Sequence, residues 1–162
     1  MYVNNLLHAR GYDVTQIMKV SCTEYVIPNF VHVVDSSAIR VNAIVINDIR
    51  ERINEKIAII LYLHATHEAL KKSEGPIRLD SFDQVHGEND SPIIELFNIS
   101  YLLFDLTSQI PTYSRYHPVQ KYKKNAIPQI KADDPSVKYY GFNSGDYISV
   151  QDEWHEMIYF VV

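Results

Sequence analysis

The chain has 162 residues, 46% of them hydrophobic, and a formal net charge of −5. This length and apolar content allow one good core or two small ones. The single cysteine, Cys22, excludes an intramolecular disulfide and a zinc site built from thiolates. The negative charge argues against a free-standing DNA-binding protein, which usually needs a basic footprint to neutralise phosphates.

The N-terminal sequence and the longest apolar run predict a soluble protein that is not secreted. The opening residues, MYVNNLLHARGYD, lack the basic start and apolar run of a signal peptide. The longest apolar run, from Ile57 to Leu63, is far too short to cross a bilayer. Together with the lone cysteine, these features favour a reducing intracellular compartment.

A helix and a strand are predicted first along the chain. Residues 2–10 place apolar side chains at helical spacing and end at Gly11, a natural helix stop. Residues 30–35 (FVHVVD) predict a short buried strand, because β-branched and aromatic side chains suit a pleated, half-buried surface.

A βαβ unit is predicted next. Residues 41–46 (VNAIVI) predict a strand, and Asn47–Lys56 predict a helix with charges on its exposed face. Residues 57–63 are apolar on both faces, which predicts a central strand. A strand, a crossover helix and a buried parallel strand together make the unit.

The remaining segments complete a predicted α/β domain over residues 1–105. Residues 65–73 predict a loop that enters a short helix, and the polar run Asp80–Ser91 predicts a loop. Residues 92–104 predict an amphipathic or buried element in which Pro92 opens a helix.

Residues 106–162 predict a small α+β domain. Prolines rule out long helices here, at Pro111, Pro118, Pro128 and Pro135. Tyr147–Val150 and Met157–Val162 predict a β-hairpin. A domain of this size buries a modest core, and docking on a large partner would supply the missing burial.

The segment Ile127–Val150 contains a series of capping and turn signals. Asp134 is placed to cap a helix whose first residue is Pro135. Gly141 is placed to end that helix, and Gly145-Asp146 to make a tight turn into the next strand. Each signal alone occurs in many small α+β domains.

The order of these signals resembles that in the assembly domain of the eukaryotic RNA polymerase subunit 5 family. The archaeal counterpart of this subunit shares that domain. The family has a leucine-proline and basic/Ile step, an Asp-Pro, an aromatic or hydrophobic residue, a glycine, and Gly-Asp or Gly-Gln before a strand. The matching positions are Ile127, Pro128, Ile130, Asp134, Pro135, Tyr139, Tyr140, Gly141, Gly145 and Asp146.

A second match lies near the other end of the chain. RGY at Arg10–Tyr12, followed by VTQ at Val14–Gln16, is similar to the step after the first helix of the eukaryotic family's jaw domain. The segment IELFNISYLLFDLT resembles the helix and strand that lead into the assembly domain. The resemblance therefore spans nearly the whole chain.

The chain also departs from the family pattern. A helical insert before Pro128 is abbreviated, and QDEWHE replaces a longer basic turn in the final hairpin. The family's Thr-Pro-Ser-Ala loop, which faces downstream DNA, corresponds to residues 66–69, where only Thr66 and Ala69 carry over. This trimming is typical of a divergent copy, such as one carried by a large DNA virus.

The resemblance implies a non-catalytic subunit of a multisubunit DNA-dependent RNA polymerase. It implies a jaw domain with a restriction-endonuclease-like mixed sheet, and an assembly domain that docks on the largest subunit through the positions from Pro128 to Asp146. Thr66, His67, Lys71 and Lys72 are implied to lie near downstream duplex DNA, with weak phosphate contacts. No catalytic residue, cofactor, metal, membrane or small-molecule substrate is implied, and the location is the nucleus, or the host cytoplasm and virion for a viral copy.

Other interpretations of the residues remain as alternatives. His64 and His67 form an HxxH pair, which needs a third ligand and a second shell to hold a metal. The enzymatic alternative is a metal-dependent nuclease of the restriction-endonuclease-like class, but the chain contains no Glu-x-Lys. Its acidic candidates fit a solvated loop: Asp80, Asp83, Glu88 and Asp90. A solvated face is the alternative for Lys71-Lys72, and a free-standing adaptor for the whole chain.

Overall fold

The computed structural model describes residues 2–73, 92–102, 111–119, 122 and 126–162. The fold is mixed α/β, and the chain divides into two compact units, Met1–Leu103 and Phe104–Val162. The predicted boundary near residue 105 lies outside the described residues, as does the loop predicted over Asp80–Ser91. None of the helices in the described ranges is long and apolar enough to cross a membrane.

A five-stranded sheet forms the centre of the first unit. Its strands are β1 (Met18–Lys19), β2 (Glu24–Ile27), β3 (Val31–Asp35), β5 (Ile57–Tyr62) and β7 (Ile93–Asn98). They lie in the order β1-β2-β3-β5-β7, with β3, β5 and β7 parallel and the first two strands antiparallel. Because β5 is buried between two parallel neighbours, the predicted interior strand is confirmed, as is the strand predicted over 30–35.

The βαβ unit is present, but its first strand differs from the predicted one. Helix α2 (Ala43–Arg52) connects β3 to β5, so the strand predicted over 41–46 is wrong. The Asn42 side chain caps α2 by accepting hydrogen bonds from two backbone N–H groups. Within α2 the buried residues are Ile46 and Ile49, and their spacing of three places both on one face of the helix. Helical burial of these isoleucines outweighs their β-branched propensity.

The prediction that Pro92 opens a helix is also wrong. The residues after it form β7, which pairs in parallel with β5 along its full length. A short 3-10 helix, Ile99–Leu102, follows the strand. A buried strand such as β5 must satisfy its backbone groups on both sides, and this long-range pairing does so. Tertiary context therefore decides the conformation of the segment.

Helices cover both faces of the sheet. On one face, α2 and α3 (His67–Lys71) pack over a buried apolar cluster of Val34, Val41, Ile46, Ile49, Ile53, Ala58, Ile60, Ala69 and Ile94. Along β7, Glu95 alternates with Ile94 and so points to the opposite face. There it binds Arg10, just after helix α1 (Tyr2–Ala9). Helix α1 thus covers that second face. Its bounds confirm the helix predicted over 2–10.

The second unit contains a four-stranded sheet and one described helix. Its elements are β8 (Thr112–Arg115), β9 (Gln129–Ile130), α4 (Pro135–Tyr140), β10 (Tyr147–Gln151) and β11 (Glu156–Val161). The sheet order is β8-β10-β11-β9, with β9 parallel to β11. The antiparallel pairing of β10 with β11 confirms the predicted hairpin.

Two helices end in the same glycine-dependent motif. Gly11 follows α1 with φ +86°, and Gly141 follows α4 with φ +76°. In each case the glycine N–H and the next N–H donate back to carbonyls three and five residues earlier, which is a Schellman motif. The aromatic residue after each glycine, Tyr12 or Phe142, turns into the core. The predicted helix stops are thus confirmed.

Candidate functional site

A short parallel pairing lies directly after the buried strand β5. Strands β4 (Arg40–Val41) and β6 (His64–Ala65) pair so that Arg40 stands opposite His64. The N–H of Thr66 donates to the carbonyl of Val41 at 2.9 Å, which fixes the start of α3 against this pair. An open groove of about 470 Å³ lies here, and its lining residues are Arg40, Tyr62, Leu63, His64 and Ala65.

Helix α3 carries the residues predicted to lie near DNA. Thr66 caps the helix, since its Oγ1 accepts from the N–H of Ala69 at 3.2 Å. Ala69 is fully buried against the sheet and anchors the helix. His67 and Lys71 are exposed, whereas Lys72 is half-buried at the helix end. The structure therefore brings all four predicted residues to one short helix and its caps.

Three cationic side chains, on β4 and at the end of α3, make up what we call the basic surface. Arg40, Lys71 and Lys72 are cationic, and Glu68 is the one acidic residue between positions 64 and 72. His64 adds an exposed imidazole beside Arg40. Local cations of this kind can contact phosphate even though the net charge of the chain is −5.

Tyr62 adds a neutral hydrogen-bonding group to the groove. Burial raises the pKa of its hydroxyl, the charge of Tyr101 raises it further, and a hydrogen bond with Asn98 offsets part of the rise. The hydroxyl consequently stays protonated at physiological pH. The groove thus offers the Arg40 cation, the His64 imidazole, a phenol and the apolar Leu63, a set suited to contacts with phosphate and sugar.

Arg40 is the residue of this surface that the sequence analysis missed. It lies 24 positions before His64, and each of the two strands is only two residues long. No periodicity is detectable in two residues, so only their pairing places Arg40 opposite His64. The signal available in the sequence is a lone arginine after a Ser-Ser-Ala-Ile loop, which is too common to single out.

The residues considered as metal ligands are not grouped as a metal site in the part of the chain that the structure describes. Within the described ranges, no group of three or more His, Cys, Asp or Glu side chains is arranged to hold a metal ion. His64 lies in β6 and His67 in the first turn of α3. The acidic run considered for a nuclease, Asp80, Asp83, Glu88 and Asp90, lies outside the described residues.

A buried ion pair joins the two segments that carry the family resemblance in the first unit. Arg10 of the RGY step makes a two-pronged contact with Glu95 of β7, with N–O distances of 2.5 and 2.6 Å. The side chains are 0% and 3% exposed. The guanidinium also lies 5.4 Å from the ring centroid of Phe97. Paired geometry of this kind is the form in which a buried charge is tolerated.

A second charged cluster lies on the α2 face of the sheet. Glu24 accepts a hydrogen bond from Arg52 at 2.7 Å, and His32 lies 3.4 Å from Glu24 and 3.0 Å from Glu55. Burial raises the pKa of Glu24, but the hydrogen bonds and charges of Arg52 and His32 outweigh it, so the net pKa is lowered. The cluster ties β2, β3 and the end of α2 together.

Several residues predicted for the subunit interface build the turns of the second unit. Asp134 caps α4 by accepting from the Ser136 N–H at 2.9 Å, and Pro135 is the first residue of the helix, as predicted. Asp146 accepts from the Asn143 N–H at 2.9 Å and from Arg115 at 3.1 Å. These carboxylates therefore have structural partners within the unit.

The other predicted interface residues divide into buried and accessible ones. Tyr139 and Tyr140 are buried, and the Tyr140 ring stacks on Tyr113 at 5.0 Å between centroids. Gly141 is buried as well, so these three residues pack beneath the surface of the unit and are not accessible to a partner. Four positions are exposed or half-buried and accessible to a partner: Pro128, Ile130, Pro135 and Gly145. The first two lie at β9, one of the two edge strands of the sheet. Docking through them stays a prediction.

Comparison with known proteins adds no relative to this picture. No protein-family model matches the chain, and no curated protein matches it. The function is therefore inferred from the residues, their arrangement and the resemblance of the two sequence segments.

Proposed function

We propose that the chain is a non-catalytic subunit of a multisubunit DNA-dependent RNA polymerase. In this proposal the second unit is the assembly domain that docks on the largest subunit, and the first unit is a jaw lobe beside the downstream duplex. Catalysis and its metal ions then belong to the large subunits.

One observation carries the proposal. The segment from Ile127 to Val150 uses its signals in the order that the family resemblance implies. Asp134 caps a helix opened by Pro135, Gly141 ends it with a positive φ, and Asp146 holds the turn into β10. Each of these roles is common by itself, so the support comes from their order along one segment.

The first unit supports the jaw half of the proposal. The Arg10–Glu95 pair ties the RGY step to the IELFNIS segment, so the two resembling segments are in direct contact in the fold. A mixed sheet with parallel β3, β5 and β7, covered by helices on both faces, agrees with a restriction-endonuclease-like lobe. The cations around the groove supply phosphate contacts without base readout.

Co-purification tests this function directly. A tagged chain expressed in its own host is expected to recover the two large polymerase subunits, identified by mass spectrometry, in a complex far larger than 18.8 kDa. If the tagged chain never brings down those subunits, the proposed function is wrong.

Two variants separate docking from folding in the same experiment. Pro135→Ala, at an exposed helix start, should leave the thermal midpoint nearly unchanged and reduce recovery of the largest subunit. Gly141→Ala should lower both, because alanine is strained at φ +76°. Normal incorporation of Pro135→Ala would remove that residue from the proposed interface.

A further inference from the structure

The turn between β10 and β11 presents the single tryptophan of the chain to solvent. Trp154 is 81% exposed, although it is the largest side chain available for a core. The positions proposed for docking or for DNA contact all lie elsewhere in the chain. Its indole therefore lies largely in water, and tryptophan is enriched at protein interfaces.

The backbone around Trp154 is held in one conformation. The Asp152 carboxylate accepts from the N–H groups of Trp154 and His155 at 2.8 and 2.7 Å. The Asp152 N–H donates to the His155 carbonyl at 3.0 Å, and the pair Gln151↔Glu156 closes the hairpin. The two N–H donors lower the pKa of Asp152, so the carboxylate stays ionised and keeps the turn formed. Binding through this turn would therefore cost little ordering of the backbone.

A second exposed apolar side chain, Met157, follows at the start of β11. Met157 is 46% exposed, and its sulfur lies 3.8 Å from the Tyr159 hydroxyl. Tryptophan is among the residues most enriched at the energetic centres of protein interfaces, and methionine is also enriched there. Trp154 with Met157 thus has the composition of an interface centre.

The charge around the turn selects the partner. Residues 147–162 contain Asp152, Glu153 and Glu156 and no lysine or arginine. Glu156 is held by the Ser149 hydroxyl at 2.6 Å, and Glu153 is exposed. Two copies of this turn would repel each other, whereas a surface rich in lysine and arginine would be attracted.

We propose that residues 152–157 are a contact site for a second protein that carries an apolar pocket rimmed by lysine and arginine. Trp154 fills the pocket, Met157 packs at its edge, and the exposed carboxylates of Asp152 and Glu153 face the basic rim. The inference goes beyond the polymerase role, and it holds whether or not the partner is a polymerase subunit.

Oxidative footprinting of the native complex tests the inference. The tagged chain is recovered from its host, and the oxidation rates of Trp154 and Met157 are compared between the complex and the chain released from it at high salt. We expect both rates to fall about tenfold or more in the complex, because a pocket excludes water from the side chains it holds. Met18, which is 52% exposed in the first unit, is the reference residue.

Variants test the two parts of the contact separately. Trp154→Ala should weaken retention of the partner roughly thirtyfold, as for an interface centre, with an unchanged thermal midpoint because the side chain is exposed. Glu153→Lys should weaken it more at low salt than at high salt. Glu51→Lys, an exposed glutamate on α2, is the matched control and should have no effect.

The outcomes separate this inference from the proposed function. Equal oxidation of Trp154 in the complex and in the released chain would overturn the inference, even if polymerase subunits are present. Protection of Trp154 in a complex without polymerase subunits would support the inference and refute the polymerase role. Two results would overturn the inference of a basic partner. One is protection of Trp154 in a homodimer, and the other is recovery of the chain only as a free monomer.

Discussion

Removing one member of the Arg10–Glu95 pair should be far more damaging than removing both. The pair is almost completely buried, and its two N–O contacts of 2.5 and 2.6 Å satisfy both carboxylate oxygens. In Arg10→Met the Glu95 carboxylate loses its guanidinium partner while it remains in an apolar environment. Loss of one partner from a buried ion pair typically costs about 3–5 kcal/mol of folding free energy.

The double replacement should recover most of that loss. In Arg10→Met/Glu95→Leu neither charge remains to be desolvated, and both new side chains are apolar and of similar length. Replacement of a buried pair by packed apolar residues is often neutral, or stabilising by roughly 1–4 kcal/mol. The two single substitutions should therefore be strongly non-additive, with a coupling free energy of about 3 kcal/mol or more.

Hydrogen exchange measured by mass spectrometry is the appropriate assay, because the chain contains two compact units. The opening free energy of peptides from β5 and β7 should fall in each single variant and return in the double variant. Peptides from β10 and β11, in the second unit, serve as an internal control and should not change. If the double variant is as destabilised as the single ones, shape rather than charge pairing dominates at this site, and the reasoning is refuted.

Three further predictions concern a helix end, the basic surface and the acid limit of stability. Gly141→Ala should destabilise the second unit by about 1–2 kcal/mol, because an L-residue is strained at φ +76°; an unchanged thermal midpoint would contradict this. Under the proposed polymerase role, Lys71→Ala/Lys72→Ala should weaken binding of the purified complex to downstream DNA and reduce the slope of log K against log salt by up to about 2. Lys56→Ala, before the amino end of β5, should change neither quantity. Glu24 has a folded pKa below its ordinary 4.5, so its stabilising contribution is complete above that value and is lost as pH falls through the lowered pKa. Urea unfolding of Glu24→Gln should show a flatter acid limb than the parent chain, and parallel limbs would count against the role of Arg52 and His32.

Local signals were sufficient for much of the fold. The helix stops at Gly11 and Gly141, the Asp134 cap with Pro135, and the terminal hairpin all depend on neighbouring residues, so the sequence predicted them directly. The interior position of β5 was also predictable, because a strand that is apolar on both faces needs cover on both.

The errors arose where distant partners choose between helix and strand. Residues 41–46 are rich in β-branched side chains and alone favour a strand, but Asn42 caps a helix there and the sheet buries Ile46 with Ile49 at helical spacing. The segment after Pro92 favours a helix locally, yet β5 needs a second neighbour and takes this segment as β7. Short-range propensities are worth less free energy than burial and backbone pairing, so tertiary structure overrides them.

The candidate sites divide in the same way. The sequence itself determined the order of caps and turns from Ile127 to Val150, the residues of α3, and the acidic character of the final hairpin. Only the tertiary structure placed Arg40 opposite His64, buried Tyr139 and Tyr140 in the core, and left Trp154 in water on a turn held by Asp152. A cap or turn depends on atoms within a few residues, whereas exposure depends on which distant segments fold over a side chain, and no local pattern records that.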